Sequence, residues 1–337
     1  MMHELAFAYG SPKSSGKIKA CPEDFFVEEI LGFEPAGEGE HLFLQIEKKL
    51  LTTEEMIRIL SQKLAVDINR ISYAGLKDKF ARTIQWFSVH LPGMPDPDLN
   101  QLNSENYHLL KAVRHHKKLK IGALKENRFS IKIQDFQCDQ SDINMRIRQI
   151  IKRGVPNYFG PQRFGNQCSN LNHAYSLLFE NKKVKNRHLR SIYYSAARAF
   201  LFNQVLSYRV LNDCWDQPVN GDLMMLSGTN SIFRLDEVDD EIKRRVSARD
   251  IYPTAPLWGQ DKKRIQDDAL DLESKALEPW QEWCLKLEEH GLKKSYRSMV
   301  LYPSQFQFRD NTMSFILPKG GFATTVLREL VCDLSFE

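Results

Sequence analysis

Ser72-Tyr73-Ala74-Gly75-Leu76-Lys77-Asp78-Lys79-Phe80-Ala81-Arg82-Thr83-Ile84-Gln85-Trp86 places one carboxylate among three cations, between two runs of strand character. Residues 71–74 read as a strand running into Gly75, and 84–91 read as a second strand after a polar connection. Asp78 is thereby expected at a chain reversal on the rim of a sheet. A carboxylate beside positive charge stays ionised at neutral pH, while partial burial raises its pKa. That balance suits a nucleophile or a general base. Lys-Asp-Lys after a glycine is also the composition of an ordinary solvated turn, so local chemistry leaves both readings open.

Working outward, residues 25–30 are rich in aromatic and β-branched types, and Leu42, Leu44 and Ile46 alternate with His41, Phe43, Gln45 and Glu47, which is the period of a strand. Thr52-x-x-Glu55 is a capping box opening an amphipathic helix whose Met56, Leu60 and Leu64 recur every fourth residue. Further strands are expected at 107–114 and at 129–135, where Phe129, Ile131 and Ile133 share a face. After Gly154 the texture turns helical. One helix is expected from a Ser195 cap to Leu211 and a long amphipathic helical region over 262–290, with Trp280 and Trp283. Strand patterns return at 299–302 and 313–317, before Gly320-Gly321 and a closing helix over 323–332. A strand-rich opening, a helix-rich middle and a strand–helix ending predict one domain split by another, with 313–330 packed on 17–135.

The length of 337 residues favours two domains, and 42% apolar content is ample for packed cores. Residues 1–16 lack the features of a cleaved leader and no run approaches membrane-spanning length, so a cytoplasmic location without membrane contact is expected. The cysteines at 21, 138, 168, 214, 284 and 332 form no C-x-x-C pair and have no histidine at ligand spacing, which predicts free thiols, no disulfide and no metal. Net charge is +4, yet 111–132 holds eight Lys or Arg against Glu126 alone, and 182–198 holds six with no acid. Such blocks fit a phosphate-backbone footprint, or a solvated charged face. No G-x-G-x-x-G fingerprint, P-loop or glycine-rich strand-to-helix turn occurs, which predicts no cofactor and argues against a methyltransferase.

The pattern Ala74-Gly75-x-Lys77-Asp78-Lys79-x-Ala81-x-Thr83-x-Gln85 resembles the signature of the TruD family of tRNA pseudouridine synthases. Other stretches resemble family blocks in family order: Lys19-Ala20-x-Pro22-Glu23-Asp24-Phe25-x-Val27-Glu28-Glu29, Gly37-Glu38-Gly39-Glu40-His41, Gly122-Ala123-Leu124-Lys125-x-Asn127-x-Phe129 and Val155-Pro156-Asn157-Tyr158-Phe159-Gly160-x-Gln162-Arg163-Phe164-Gly165. Ser195-Ala196-Ala197-Arg198, Pro256-Leu257-Trp258-Gly259 and Phe322-Ala323-Thr324-x-Val326-x-Arg328-Glu329-Leu330 extend the likeness, whereas 135–148 and 261–294 carry no family pattern. The resemblance implies an α+β/α/β architecture: a pseudouridine-synthase-type catalytic domain with a mixed sheet, formed by 1–153 and 302–337 and interrupted by an inserted α/β TRUD domain at 154–301. It implies that Asp78 is the catalytic carboxylate, that uridine in tRNA (D-stem position 13) is converted to pseudouridine without a cofactor, and that no obligate protein partner is needed, which fits a monomer.

By the same resemblance Phe25, Phe129 and Phe322 bind the substrate base, since a nucleotide taken out of its stack requires flat apolar surface in exchange. Each is equally at home in a core. Asn127 can donate and accept with one amide, as a uracil edge demands, or can end a turn. If 77–79 is extended, Lys77 and Lys79 point away from the face of Asp78 and the supporting cation comes from elsewhere in the chain, for which the resemblance offers Lys19 in the shared Lys-Ala-x-Pro-Glu-Asp-Phe block; a tight turn would return the role to a neighbouring lysine. The competing reading is an RNA-binding or RNA-folding protein without chemistry; it shares the charge pattern but has no need of a carboxylate at Asp78.

Overall fold

A computed structural model describes residues 5–260, 265–332 and 334–336. The described residues fall into two compact units. The first considered takes residues 13–140, 303–321 and the described part of 331–336. Its centre is a mixed sheet of nine strands among the described residues, in the order Ser304–Arg309, Thr312–Pro318, Leu124–Lys132, Phe25–Leu31, Arg82–His90, His41–Lys48, Tyr107–His115 and Asn103–Ser104, with Ile71–Tyr73 also paired to Arg82–His90. Strands Phe25–Leu31 and Arg82–His90 run parallel; their other neighbours are antiparallel.

Alternation sorts the side chains of this sheet. Leu42, Leu44 and Ile46 pack with Phe87 and Val89 against Met56, Ile57 and Leu60 of helix Thr53–Lys63. Phe43 and Trp86 lie in a separate cluster with Ala74, Leu119 and Leu124. The helix begins where the capping box predicts. Thr52 Oγ1 accepts from Glu55 N–H and the Glu55 carboxylate accepts from Thr52 N–H. Cross-strand partners share a face, so Phe25 opposite Ile131, Val27 opposite Phe129 and Glu29 opposite Asn127 stand on one side of the sheet. A small sheet joins Ser15–Ile18 to Gln134–Gln137 and Leu334–Phe336.

The second unit takes residues 5–12, 322–330 and those described within 141–302. Helix Arg187–Leu211 runs through its core, burying Ala196, Phe200, Leu201, Phe202 and Leu206 against helices Ser169–Phe179 and Gln281–Glu289. A four-stranded antiparallel sheet of Ile232–Arg234, Leu223–Leu226, Ile251–Leu257 and Ser295–Ser298 belongs to the same unit.

Four expectations need correction. The unit limits are not 153/154 and 301/302, because helix Gln140–Arg153, the segment 5–12 and residues 322–330 go with the helical unit. Arg146 on that helix is 2% exposed and donates to the carbonyls of Gly10, Ser11 and Glu329, while Tyr158 Oη donates to Ala6 O. Helical texture does not reveal which core a helix caps. Of the C-terminal segment, Thr312–Pro318 pairs with Leu124–Lys132 as expected, but 322–330 does not join that unit. The long central helix starts at Arg187, not after Ser195: Asn186 accepts the N–H groups of His188 and Leu189, and Ser195 Oγ instead accepts from Arg163. Its exposed, basic first turns mask the start in the sequence. The expected 262–290 helix is broken into Asp267–Leu277 and Gln281–Glu289, with Pro279 in the turn between; 261–264 lie outside the described residues.

Candidate active site

In the sheet unit, the loop between strands Ile71–Tyr73 and Arg82–His90 is tied down at nearly every residue. Ala74 O accepts from Gly122 N–H at 2.6 Å, and Gly75 O accepts from Gln85 Nε2 at 2.6 Å. Lys77 N–H donates to Thr53 Oγ1 at 2.9 Å, and Thr53 Oγ1 donates to Gln85 Oε1 at 3.1 Å. Leu76 projects outward and is 67% exposed. The two flanking lysines face away from Asp78: Lys77 pairs with Glu29 at 2.6 Å and Lys79 with Glu55 at 3.1 Å.

The cation that reaches Asp78 is Lys19, whose ammonium donates to Oδ2, while Oδ1 accepts from Phe80 N–H at 3.2 Å. The Lys19 side chain is 9% exposed and that of Asp78 is 35% exposed, so the carboxylate keeps an open side. Burial pushes the Asp78 carboxyl up, but the Lys19 hydrogen bond and charge, joined by the N–H groups of Phe80 and Lys79, outweigh it and hold the group below the usual carboxylate range. Lys19 adopts φ 60°, a left-handed conformation that costs a side-chain-bearing residue about 1 kcal/mol or more.

An aromatic ring adjoins this pair and begins a run of packed rings. The Lys19 ammonium lies 4.6 Å from the centroid of Phe25, and Phe25 meets Phe129 edge-on at 6.3 Å. Phe129 contacts Phe315 at 5.6 Å, and Phe315 stacks on Phe306 at 5.7 Å. Phe25 and Phe129 are 6% and 8% exposed, so most of each ring is packed. Asn127 stands two residues before Phe129 on the same strand face, opposite Glu29, and its Oδ1 is buried with no hydrogen-bond partner among the described groups. Lys19, Phe25, Asn127, Phe129 and Asp78 thus belong to one unit. Phe322 belongs to the other, where it precedes helix Ala323–Arg328 and meets Phe159 at 6.0 Å. Phe159 in turn carries the guanidinium groups of Arg163 at 5.3 Å and Arg297 at 4.3 Å, and burial pulls Arg297 down to about 10.

Four polar residues around the loop were given no role from the sequence: Glu29, Lys48, Thr53 and Gln85. Glu29 had a legible signal, an acid at an inward position of the alternation Phe25, Val27, Glu29. Lys48 is 1% exposed, and its ammonium donates to Leu51 O at 2.6 Å. Burial, then the neighbouring Lys77 charge, pull it down to about 8 against the opposing charges of Asp78, Glu29 and Glu55. Among the described residues no group of three His, Cys, Asp or Glu side chains stands where a metal ion would be held.

The family model for tRNA pseudouridine synthase D (TruD) matches residues 2–181 and 181–330. The chain is 44% identical over 329 residues to the tRNA pseudouridine synthase D of Legionella pneumophila (strain Lens), covering 96% of this chain and 97% of that protein. It is 40% identical over 335 residues to the namesake of Aeromonas salmonicida (strain A449), covering 98% and 95%. The crystal structure of a putative tRNA pseudouridine synthase D from Methanosarcina mazei superposes with a TM-score of 0.79 at 20% identity, covering 98% of this chain and 96% of the other, and so shares the fold. Full-length similarity of this kind, in a chain whose Ala-Gly-x-Lys-Asp-Lys loop is held where an interior strand of the sheet begins, establishes that it belongs to the TruD family of tRNA pseudouridine synthases.

Proposed function

We propose that this protein isomerises uridine to pseudouridine in tRNA, at D-stem position 13, with Asp78 as the reacting carboxylate and without a cofactor. The observation that carries the reading is Asp78 itself: an ionised carboxylate fixed by Lys19, with an open side, beside the aromatic group of Phe25 and Phe129. The reaction breaks the bond from ribose C1′ to uracil N1, forms one from C1′ to C5, releases the C5 proton and leaves N1 protonated. It needs no electron or group donor. Asp78 serves as nucleophile or as base in that sequence. Asn127 Oδ1, buried and without a protein donor, suits the N3–H of the extruded uracil, and Phe129, two residues further along the same strand face, offers the base a flat apolar surface. In this reading 13–140 and 303–321 form the catalytic unit, the helical unit is the inserted TRUD domain, and the protein acts on tRNA as a cytoplasmic monomer.

Asp78→Asn preserves size and hydrogen bonding but removes the charge. Tritium release from uracil C5 is expected to vanish, while tRNA affinity stays within about tenfold, roughly 1.4 kcal/mol. Release at the wild-type rate would remove Asp78 from the chemistry and favour the purely RNA-binding alternative.

A further inference from the structure

Lys77 precedes the exposed carboxylate yet is itself buried. Its side chain is 9% exposed and its ammonium lies 2.6 Å from Glu29 Oε1; the Glu29 side chain has no exposed surface. Glu29 Oε2 accepts from the main-chain N–H of Trp86 at 2.8 Å. Glu29 lies on the strand, and on the strand face, that also presents Phe25, so the pair fastens the Asp78 loop to the strand bearing that ring. The main chain of Lys77 is fastened separately through Thr53 and Gln85, both buried.

Stability does not account for this choice of residues. Two charges stripped of water gain little over a well-packed apolar pair of the same volume. What an inward-reaching lysine supplies is a directional contact one residue from Asp78, and with the Lys77 N–H bond to Thr53 it fixes both ends of that residue. We infer that the Lys77–Glu29 ion pair is a positioning device that sets where the Asp78 carboxylate stands relative to the Phe25 strand. The inference rests on the reading of Asp78 as the reacting group.

The test is the paired variant Lys77→Met with Glu29→Gln, which leaves no uncompensated charge and keeps an acceptor for Trp86 N–H. Its kcat in steady-state tritium release, normalised to the folded fraction, is expected to fall about 100-fold, as a displacement near 1 Å produces, with KM for tRNA unchanged within about threefold. Thr53→Val, which removes the acceptor of Lys77 N–H, is expected to lower kcat in the same way, and Thr53→Ser to restore it. A merely structural pair would change the folded fraction and leave kcat per folded molecule intact, and that result overturns the inference. If the paired variant does not fold, the Thr53 variants decide: equal kcat for Thr53→Val and Thr53→Ser overturns it. Asp78→Asn assayed alongside separates the two ideas. An inactive Asp78→Asn with a fully active paired variant sinks the positioning role alone, whereas an active Asp78→Asn sinks the catalytic reading and the positioning role with it.

Discussion

Asp78 is governed by two opposed effects whose balance sets its pH response. Burial favours the neutral acid, and Lys19 favours the carboxylate strongly enough to win. A carboxyl held below its ordinary range stays ionised as pH falls, so the wild-type rate should persist through mildly acidic pH. Lys19→Met removes the stabilising cation and leaves the burial, which moves the Asp78 pKa upward and the acid limb of kcat to higher pH. The expected measurement is tritium release at saturating tRNA across about pH 5 to 8, compared for the two proteins. An acid limb that stays in place would separate Lys19 from the ionisation of Asp78. The same residue scale explains what was legible. Alternation implied only that the cation lies elsewhere if the flanking lysines face away, and the family resemblance singled out Lys19; in the structure the flanking lysines do face away, toward Glu29 and Glu55. Which acid each lysine pairs with was not legible, because the register that sets Glu29 beside Trp86 is a tertiary fact.

At the scale of elements, the basic block at 111–132 resolves into members with different surroundings. Arg114 is engaged by Asp96 and Arg128 by Glu28. Lys117, Lys118 and Lys120 are exposed, on a connection anchored by Leu119, which is 1% exposed and donates its N–H to Ser88 Oγ at 3.0 Å. An anchored connection presents its charges at defined positions, which favours phosphate contact over a loose solvated face. Replacing the three lysines with Ala should weaken tRNA binding and flatten the slope of log affinity against log salt by about two to three, close to one per lost phosphate contact. An unchanged slope in a filter-binding titration would return the block to a solvated surface. Elements with strong local chemistry, such as the Thr52–Glu55 box and the alternation of 41–48, were readable because local preference and tertiary packing agree there. Helix Arg187–Leu211 was misread at its start because exposed basic turns carry no apolar period.

For the whole molecule, each unit is assembled from segments far apart in the chain, and this the change of texture revealed only in outline. Strand and helix patterns predicted an interruption, but not that 5–12, 141–153 and 322–330 share a core with the middle of the chain. The residue that exposes this arrangement is Glu329. It is fully buried, accepts Ala8 N–H at 3.0 Å and pairs with Arg328 at 2.7 Å, while its main-chain carbonyl accepts from Arg146. Burial pushes its carboxyl up from 4.5 to about 7, against the lowering effect of Arg328 and the N–H groups of Ala8 and Tyr9. The folded protein therefore keeps a proton that the unfolded chain gives up above about pH 4.5. Its contribution to stability is fully present below that value and is lost as pH rises through about 7. Over that window the loss amounts to about 3 kcal/mol. Glu329→Gln keeps the acceptor for Ala8 and cannot titrate, so urea unfolding of the helical unit should lose that part of its pH slope between about pH 5 and 7. If the variant and the parent show the same slope, the carboxyl is ionised in the folded protein and Arg328 outweighs the burial.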